Sequence, residues 1–438
     1  MSISSRPAAE RVLLVAFHFP PLGESSGLLR SFCFARDLLT HGWEVRVLTV
    51  NPRVHATVRQ DLLERLPKEV DVEQVFALDA ATDMSLFGRY PDWLALPDRW
   101  WSWALFAGLR GLWKWRQWRP KVVWSTYPIA TAHLIGCFLS RVTGTPWVAD
   151  FRDPMVEQNE RTGEWVPRDA RLRGARLWVE ALCARHATAL VFCTESARQI
   201  CVERYGRAIE DKCFVIANGY DEESFRDIES AAAGSAPVQT PARITLLHSG
   251  VIYDSPDRDP SAFFAALARL KQHPVVKAGG LCVRLRASGN DRKLGELARQ
   301  SGCDDMVELV GSVPYHEALR EMMAVDGLLI FQGYTSNPAI PAKLYEYLRT
   351  GRPIFAMAHA QGETARLVHR EKAGVVVDLE DSAAIELALA SFLGELRAGR
   401  ARGADGATVR QHARAARAEE LAGLLRRVVA GDGQTGRE

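Results

Sequence analysis

The chain has 438 residues, 47% of them hydrophobic, and its 55 basic and 53 acidic side chains leave a formal charge of +2. This size and composition indicate a globular protein of two or three domains and exclude a largely disordered, collagen-like or coiled-coil architecture. Because the charges nearly balance, no nucleic-acid partner is expected from bulk electrostatics.

The first half of the chain alternates short apolar runs with segments of helical periodicity. Residues 11–19 form an apolar run typical of a strand buried on both faces of a parallel sheet. A turn rich in glycine, proline and serine leads to a predicted helix over 28–41 and a strand over 44–50. This βαβ pattern predicts a parallel α/β sheet. The sheet continues with strands at 121–126, 146–151, 189–194 and 213–218 and a helix around 129–142.

A second βα series starts after residues 227–241, whose small and polar residues predict a surface linker. Its predicted strands are 244–250, 281–289, 306–311, 327–333 and 352–358, and its predicted helices are 261–272, 315–325 and 341–350. The predicted fold class is therefore α/β, with two facing Rossmann-like domains at 1–235 and 241–400. Ligands are expected in the interdomain cleft, at the carboxyl ends of the strands. A last helix, over 407–430, is expected to return to the first domain.

Gly23 and Gly27 lie in the first βα turn. Glycine lets backbone N–H groups approach a phosphate, and the N-terminus of the following helix adds partial positive charge. The spacing differs from the Gly-x-Gly-x-x-Gly of dinucleotide-binding turns, so dinucleotide binding is not indicated. A purely structural turn is an equally good interpretation.

The segment 337–356 gives a stronger signal. Prolines precede a short helix that ends at Gly351, so free N–H groups from about Ala342 are expected to face the cleft. Lys343 stands in the first turn, where a cation is disfavoured unless an anion such as pyrophosphate binds beside it. Glu346, one turn later, can accept hydrogen bonds from both hydroxyls of a ribose. A simple Lys–Glu surface pair is the alternative.

Segments in both halves of the chain resemble those of GT-B glycosyltransferases, most closely the family 4 type. The segments that carry the resemblance are HFPPLGESSGLLR (18–30), HGWEVRVLT (41–49), PWVADFRDP (146–154), NGYD (218–221), SGVIYDSPDRDP (249–260), GSVPYHEALREMMAVDGLLI (311–330) and PAKLYEYLRTGRPI (341–354). Within that family the chain is most similar to bacterial polysaccharide enzymes with an Asp-Phe-Arg-Asp-Pro-Trp motif. Residues 150–154 match this motif, and Met155 stands where tryptophan is usual.

The resemblance implies a nucleotide-diphosphate sugar as donor, held mainly by the second domain, with no metal and no cofactor. It implies that Glu346 binds the ribose and Lys343 the pyrophosphate. By the same resemblance Gly250 and Arg258 flank the sugar phosphate, and the segment around Pro314 cups the base.

The resemblance also places Gly23 to Gly27, with Arg30 nearby, against the phosphate or the acceptor. Two positions depart from the family pattern. Pro338 stands where an earlier glutamate is usual, and Val251 stands where a basic residue is usual. The identity of the donor sugar is therefore open.

Glycosyl transfer needs stabilisation of the leaving diphosphate, and an inverting enzyme also needs a base for the acceptor's proton. Asp150 and Asp153 are candidates to orient the acceptor or to act as base, and Arg152 between them is expected to keep both ionised. A structural cluster that orders the loop is the alternative, and the resemblance favours retention, which needs no protein base. His133, near the start of helix 129–142, is a further catalytic candidate, although a lone histidine there is more often a packing residue.

The sequence lacks the motifs typical of metal sites, disulfide-rich proteins and exported or membrane-spanning proteins. No His-Glu-x-x-His motif, acidic run or Cys/His cluster indicates a metal site. The eight cysteines include no Cys-x-x-Cys pair and are expected to be buried reduced thiols. The N-terminal sequence lacks a signal-peptide pattern, and no apolar stretch reaches the ~18 residues needed to span a bilayer, so a cytoplasmic location is expected.

Seven of the twelve tryptophans lie between residues 93 and 118, interleaved with arginine and lysine. Tryptophan favours the headgroup region of a bilayer and basic side chains attract anionic lipid. We therefore predict that Trp100, Trp101, Trp103 and Trp113 contact the inner membrane surface through an interfacial helix. A tryptophan-rich core helix is the alternative.

Together these patterns predict a nucleotide-sugar-dependent glycosyltransferase, cytoplasmic or peripheral on the inner membrane. Its acceptor would be a lipid-linked or other membrane-associated glycan in surface polysaccharide biosynthesis. Two alternatives remain: a nucleotide-sugar epimerase of the same fold, and a non-catalytic, membrane-recruited partner subunit, which the proline at position 338 would favour.

Overall fold

The computed structural model describes residues 10–23, 27–55, 57–59, 61–87, 89–159, 161–232, 243–277 and 280–431. The chain divides into two compact units, Met1–Asn218 with Arg414–Glu438, and Gly219–Ala413. The boundary lies after Asn218, upstream of the predicted residue 235, because part of the predicted linker 227–241 is helical. Residues 222–232 form a helix that belongs to the second unit, and residues 233–242 lie outside the described part of the chain.

The first unit is built on a seven-stranded parallel sheet of order β3-β2-β1-β4-β5-β8-β9. The strands of this unit are β1 (Glu10–Ala16), β2 (Trp43–Val50), β3 (Asp71–Val75), β4 (Val122–Thr126), β5 (Trp147–Arg152), β6 (Glu157–Gln158), β7 (Trp165–Val166), β8 (Ala189–Phe192) and β9 (Cys213–Val215). β6 and β7 pair only with each other, as an antiparallel hairpin. The central strands are buried on both faces, which is why they are continuously apolar in the sequence.

Helices cover both faces of the first sheet. They are α1 (Leu28–Asp37), α2 (Asp61–Glu64), α3 (Trp103–Trp118), α4 (Thr131–Thr143), α5 (Ala170–His186) and α6 (Glu195–Tyr205). Apolar side chains of α3 to α6 share one core with the sheet, and α1 lies in a second core on the opposite face. The tryptophan-rich segment predicted as a helix is α3.

The second unit is built on a six-stranded parallel sheet of order β12-β11-β10-β13-β14-β15. Its strands are β10 (Ile244–Ser249), β11 (Leu281–Arg286), β12 (Val307–Val310), β13 (Gly327–Gln332), β14 (Ile354–Ala358) and β15 (Gly374–Val377). Its helices are α7 (Glu222–Ala232), α8 (Ser261–Leu270), α9 (Pro274–Lys277), α10 (Asp291–Ser301), α11 (Tyr315–Ala324), α12 (Ala342–Thr350), α13 (Glu363–Arg370), α14 (Ser382–Arg397) and α15 (Gly406–Val409).

The C-terminal segment 407–430 is not one helix. Its start belongs to α15 in the second unit, and α16 (Arg414–Ala430) belongs to the first. Ala418, Leu421 and Leu425 of α16 are buried in the same core as Phe32 of α1. Short 3₁₀ turns complete the described elements, at Leu38–His41, Pro52–Val54, Asp92–Ala95, Arg207–Lys212, Pro256–Arg258, Asp304–Met306, Tyr334–Ser336 and Arg410–His412.

Two general features of the chain follow from the described residues. All eight cysteines are buried and none forms a disulfide. Among the described helices, none is both long and apolar enough to cross a bilayer.

Candidate functional site

Each sheet has one topological switch point, where successive crossovers leave in opposite directions. In the first unit it lies between β1 and β4, and in the second between β10 and β13. In doubly wound sheets, ligands bind at the carboxyl ends of the strands beside such a point. Predicted site residues of both units lie at these two places.

Asp150, near the end of β5, is fully engaged with Arg30 of α1. The guanidinium donates to both carboxylate oxygens, from Nε to Oδ2 and from Nη2 to Oδ1, each at 3.1 Å. The same guanidinium donates to the carbonyls of Ile216 and Ala217 at 3.0 Å, and the Thr126 hydroxyl donates to Asp150 at 3.0 Å. Both partners are buried, so the pair ties α1 to the sheet and leaves Asp150 no solvent-facing oxygen.

Arg152 makes its hydrogen bonds to groups other than the two aspartates that flank it, although its Nε lies 4.0 Å from Asp150 Oδ2. Its backbone φ is +61° and a bulge interrupts the pairing of β5 with β8 between Asp150 and Arg152. The side chain donates to the Thr126 hydroxyl at 2.9 Å, to the Gly27 carbonyl at 2.8 Å and to the Ser31 hydroxyl at 2.8 Å. Burial lowers its pKa to about 10. Arg152 therefore braces the first βα turn.

Asp153 differs from Asp150 in its surroundings. Its side chain is half-buried, and no hydrogen bond joins its carboxylate to any other described residue. Burial raises the pKa of Asp153, and the opposing charges of Arg152 and Arg30 do not cancel that effect. Arg152 favours the ionised form of Asp153 through its charge alone, because its hydrogen bonds go to Thr126, Gly27 and Ser31. Of the two carboxylates, Asp153 is the one that stays partly exposed, whereas Asp150 is fully buried.

The glycines of the first βα turn are held by close contacts. A methyl group on Gly27 would lie 2.3 Å from Arg152 Nη1, and one on Gly23 would lie 2.8 Å from Thr57 Oγ1. The Gly23 N–H donates to the Thr57 carbonyl at 2.8 Å. Residues 24–26 lie outside the described part of the chain. Phosphate binding by this turn stays a prediction. The close contacts are a structural reason for glycine at both positions, because a methyl group would overlap a neighbouring side chain.

His133 lies in the core beneath the sheet. Trp147 Nε1 donates to Ser125 Oγ at 2.8 Å, and the same hydroxyl forms a hydrogen bond with His133 Nδ1, 2.7 Å away. Burial lowers the pKa of His133 to about 3, which keeps the ring neutral. With almost no exposed surface, His133 is a packing residue of α4 in this structure.

At the second switch point, two loops meet below α12. Gly250 directly follows β10 with φ +111°, and its N–H donates to the Arg286 carbonyl at 2.9 Å. Arg258 lies in the same loop and donates from Nη1 to the Phe331 carbonyl at 2.7 Å and to Gln332 Oε1 at 3.2 Å. Burial lowers the pKa of Arg258. Arg258 thus links the ends of β10 and β13.

Lys343 and Glu346 lie on the first turns of α12, which starts after Pro341 as predicted. Lys343 Nζ lies 3.0 Å from His248 Nε2, and a methyl group on Gly250 would lie 2.9 Å from it. Burial, then the nearby charge of Arg258, lowers the pKa of Lys343 to about 7, while Glu346 opposes the shift. The structure therefore brings Lys343 and Gly250 together, which the sequence could only suggest.

Glu346 is buried and its Oε1 accepts a hydrogen bond of 2.8 Å from the Tyr315 hydroxyl. Tyr315 begins α11, directly after the exposed Pro314. Tyr347 also serves this end of the sheet, since its hydroxyl accepts from the Ser249 N–H at 2.9 Å. The resemblance assigned the segment Val313–Pro314–Tyr315 to the base, and the contact between Tyr315 and Glu346 was not predicted.

The tryptophans proposed for membrane contact separate into buried and exposed groups. Trp103 has no exposed surface and packs edge-on against Phe17, so it belongs to the core of the first unit. Trp100 is partly buried on the same core, 4.7 Å from Phe17 between ring centres, and Trp101 is half-buried. Trp113 alone of the four is largely exposed, at 46%. The prediction is wrong for Trp103 because the helix turns that residue toward the sheet.

The described residues contain no group of three or more histidine, cysteine, aspartate or glutamate side chains placed to hold a metal ion.

Residues 34–219 match the model of the glycosyl transferase 4-like domain, which is somewhat less than half of the chain. No curated protein matches the sequence.

Three solved structures with the same architecture illustrate the fold. Sucrose-phosphate synthase from Thermosynechococcus elongatus is 16% identical with a TM-score of 0.68, covering 96% of this chain and 100% of that one. Trehalose 6-phosphate synthase from Burkholderia multivorans is 14% identical with a TM-score of 0.67, covering 98% and 99%. HepE from Anabaena, in complex with UDP and glucose, is 15% identical with a TM-score of 0.62, covering 95% and 99%. These likenesses establish the GT-B fold, and the domain match supports a glycosyltransferase.

Proposed function

We propose that the chain is a glycosyltransferase that takes its sugar from a nucleotide-diphosphate sugar held by the second unit. The observation that carries the proposal is the arrangement at the second switch point, where Gly250, Lys343 and Glu346 meet around the start of α12. Half-buried Lys343 offers a cation beside free helix N–H groups, and Glu346 one turn later offers carboxylate oxygens. This combination suits a diphosphate next to a ribose.

The proposed reaction breaks the bond between the anomeric carbon and the donor phosphate oxygen and forms one from that carbon to an acceptor hydroxyl. Lys343 would stabilise the charge that develops on the leaving diphosphate, with Arg258 of the same unit near it. In a retaining enzyme the acceptor's proton goes to the departing phosphate. In an inverting one it needs a base, for which Asp153 is better suited than Asp150.

Binding of the donor is tested by isothermal titration with UDP-glucose and GDP-mannose. Lys343→Ala and Glu346→Ala should each weaken the affinity about 10- to 100-fold, the effect of losing a hydrogen bond to a charged group. Lys277→Ala and Glu296→Ala, which remove exposed side chains of the same charges in the same unit, should bind as the wild type does. Equal affinities in all four variants would contradict the assignment of the site.

The turnover products separate this proposal from its rivals. Hydrolysis or transfer that releases a nucleoside diphosphate supports the transferase. Conversion of the donor to a second nucleotide sugar without release would indicate an epimerase, and no consumption of any donor would indicate a non-catalytic subunit.

We further propose that the acceptor is carried by a membrane and that the first unit docks there through α3 and α4. Leu105, Leu109 and Trp113, spaced four residues apart on α3, are exposed at 62%, 61% and 46%. Phe138 and Val142 of the neighbouring α4 are also exposed, and α3 and α4 pack closely where Gly108 meets Phe138. We call these five residues the α3–α4 apolar surface.

Basic side chains border the α3–α4 apolar surface. The Arg110 guanidinium lies 4.3 Å from the centre of the Trp113 ring, and Lys114 lies 5.8 Å from it. Both also pair with Glu73, and exposed Arg116 and Arg119 extend the charge. Apolar side chains rimmed by cations favour an anionic bilayer surface.

Vesicle flotation tests this docking surface. A triple variant, Leu105→Ser with Leu109→Ser and Trp113→Ser, should lose on the order of 100-fold in partition to anionic vesicles, if each side chain contributes about 1 kcal/mol. The control is Trp178→Ser with Leu387→Ser, two exposed apolar residues on other helices, α5 and α14. Equal flotation of the triple variant and the control would contradict membrane docking by α3 and leave donor binding untouched.

A further inference from the structure

His248, at the end of β10, is a buried histidine of the second unit that no part of the proposed reaction uses. Its Nδ1 lies 2.9 Å from the Leu329 carbonyl of β13. A carbonyl can only accept, so Nδ1 carries the proton of the neutral ring. Burial, reinforced by Lys343, holds the pKa of His248 well below its usual range, so the ring stays neutral. The tautomer is therefore set by the neighbouring strand.

This tautomer leaves a lone pair on Nε2, and that lone pair faces Lys343. The Lys343 amino group lies 3.0 Å away and donates to it. Gly250, two residues after His248, leaves the space that the amino group occupies, since a methyl group there would lie 2.9 Å from Nζ. Two features of β10 and its following loop therefore determine where the Lys343 amino group lies.

We infer that His248 is a positioning residue that holds the Lys343 amino group at the donor's diphosphate by accepting a hydrogen bond from it. This inference rests on the proposed function and deepens it. A neutral acceptor is suited to the task, because it orients the cation without neutralising it as a carboxylate would. The remaining donor positions on the amino group stay available for phosphate oxygens.

The charged groups around Lys343 give the arrangement a dependence on pH. Arg258, in the loop after β10, disfavours the ammonium form, and Glu346 on α12 favours it. Tyr315 of α11 donates a hydrogen bond to Glu346. With a pKa of about 7, Lys343 is charged below neutrality and loses its proton above it. A bound diphosphate restores the charge, so donor affinity should fall as the pH rises above 7.

The inference is tested first without any donor. Trace labelling with acetic anhydride across a pH series, read by mass spectrometry on the Lys343 peptide, gives the titration midpoint of that amine. His248→Asn keeps an amide that can donate to the Leu329 carbonyl but loses the acceptor at the Nε2 position. His248→Gln restores an acceptor there. We expect the midpoint to fall by about one pH unit in His248→Asn and to recover in His248→Gln.

An unchanged midpoint in a folded His248→Asn protein would overturn the inference. An equal fall of the midpoint in both variants would also overturn it, since that would indicate lost packing.

The second readout is the affinity for UDP-glucose or GDP-mannose between pH 6 and pH 9. At pH 7 His248→Asn should bind roughly fivefold more weakly than wild type, with its decline starting about one pH unit lower. If the wild type binds donor but the two pH profiles coincide, the inference fails while the proposed function stands. If the wild type binds no donor, the proposed function fails even where the labelling midpoints shift.

Discussion

Replacing Gly250 by alanine perturbs the proposed donor site in two separable ways. The backbone at this position has φ +111°, which side-chain-bearing residues rarely adopt, so the variant carries strain of roughly 1–3 kcal/mol. The new methyl group would also lie 2.9 Å from Lys343 Nζ and 3.4 Å from its Cε. Because the end of a lysine side chain moves easily, the overlap should displace the amino group and add little to the loss of stability.

A matched variant separates the two effects. Gly302 follows α10 in the same unit with φ +77°, and a methyl group there would meet no other atom within 4 Å. Gly302→Ala should therefore lose about 1–2 kcal/mol through backbone strain alone. At about 2–4 °C per kcal/mol for a unit of this size, both variants should melt several degrees below the wild type. Only Gly250→Ala should displace Lys343.

The assay is isothermal titration of UDP-glucose or GDP-mannose at 15 °C, where both variants remain folded. Loss of one charge-assisted contact to the diphosphate predicts a Kd about 10- to 100-fold higher for Gly250→Ala, with wild-type affinity for Gly302→Ala. Wild-type affinity in Gly250→Ala would refute the claim that Gly250 exists to make room for Lys343. An equal loss in Gly302→Ala would attribute the effect to general destabilisation.

Two further predictions concern the first unit. Asp150→Ala leaves the buried Arg30 cation without its carboxylate partner and should lower the free energy of unfolding in urea by about 3–5 kcal/mol. The control Glu164→Ala breaks an exposed ion pair and should change it by less than about 1 kcal/mol. Similar losses in both variants would mean that Arg30 finds other acceptors. Burial raises the pKa of Asp153, so ionisation of that carboxyl opposes folding as the pH rises through its folded-state pKa. Asp153→Asn should therefore raise the melting temperature at pH 7 and lose this advantage at acid pH, and a pH-independent difference would contradict the assignment.

Much of the second unit's site could be predicted from local sequence. The run PAKLYEYLRTG places a proline before a helix and a glycine after it, and α12 spans Ala342–Thr350 between them. Spacing alone puts Lys343 and Glu346 one turn apart. Their partners could not be predicted in this way, because His248 and Tyr315 are distant in sequence and reach α12 only through the sheet order.

The first unit shows what sequence reasoning could not resolve. A motif treats Asp150 and Asp153 as equivalent acids flanking a cation, but the bulge in β5 and the positive φ of Arg152 send that cation toward the first βα turn. Arg30, 120 positions from Asp150 in the sequence, then takes the first aspartate, and the second is left without a hydrogen bond from the described residues. The two acids acquire different surroundings from contacts that no local pattern encodes.

The sequence by itself determined the α/β class, most strand positions and the repeated βα plan, because burial on both faces leaves continuous apolar runs. It also showed that tryptophans and basic residues cluster before residue 121. Only the tertiary structure decided that Trp103 faces the core while Leu105, Leu109 and Trp113 face solvent. It also decided which strand ends meet at each switch point. The physical reason is that the spacing of apolar residues along a segment shows how strongly that segment is buried. Which residues of other segments cover it depends on the order of the strands and on which helix packs against them.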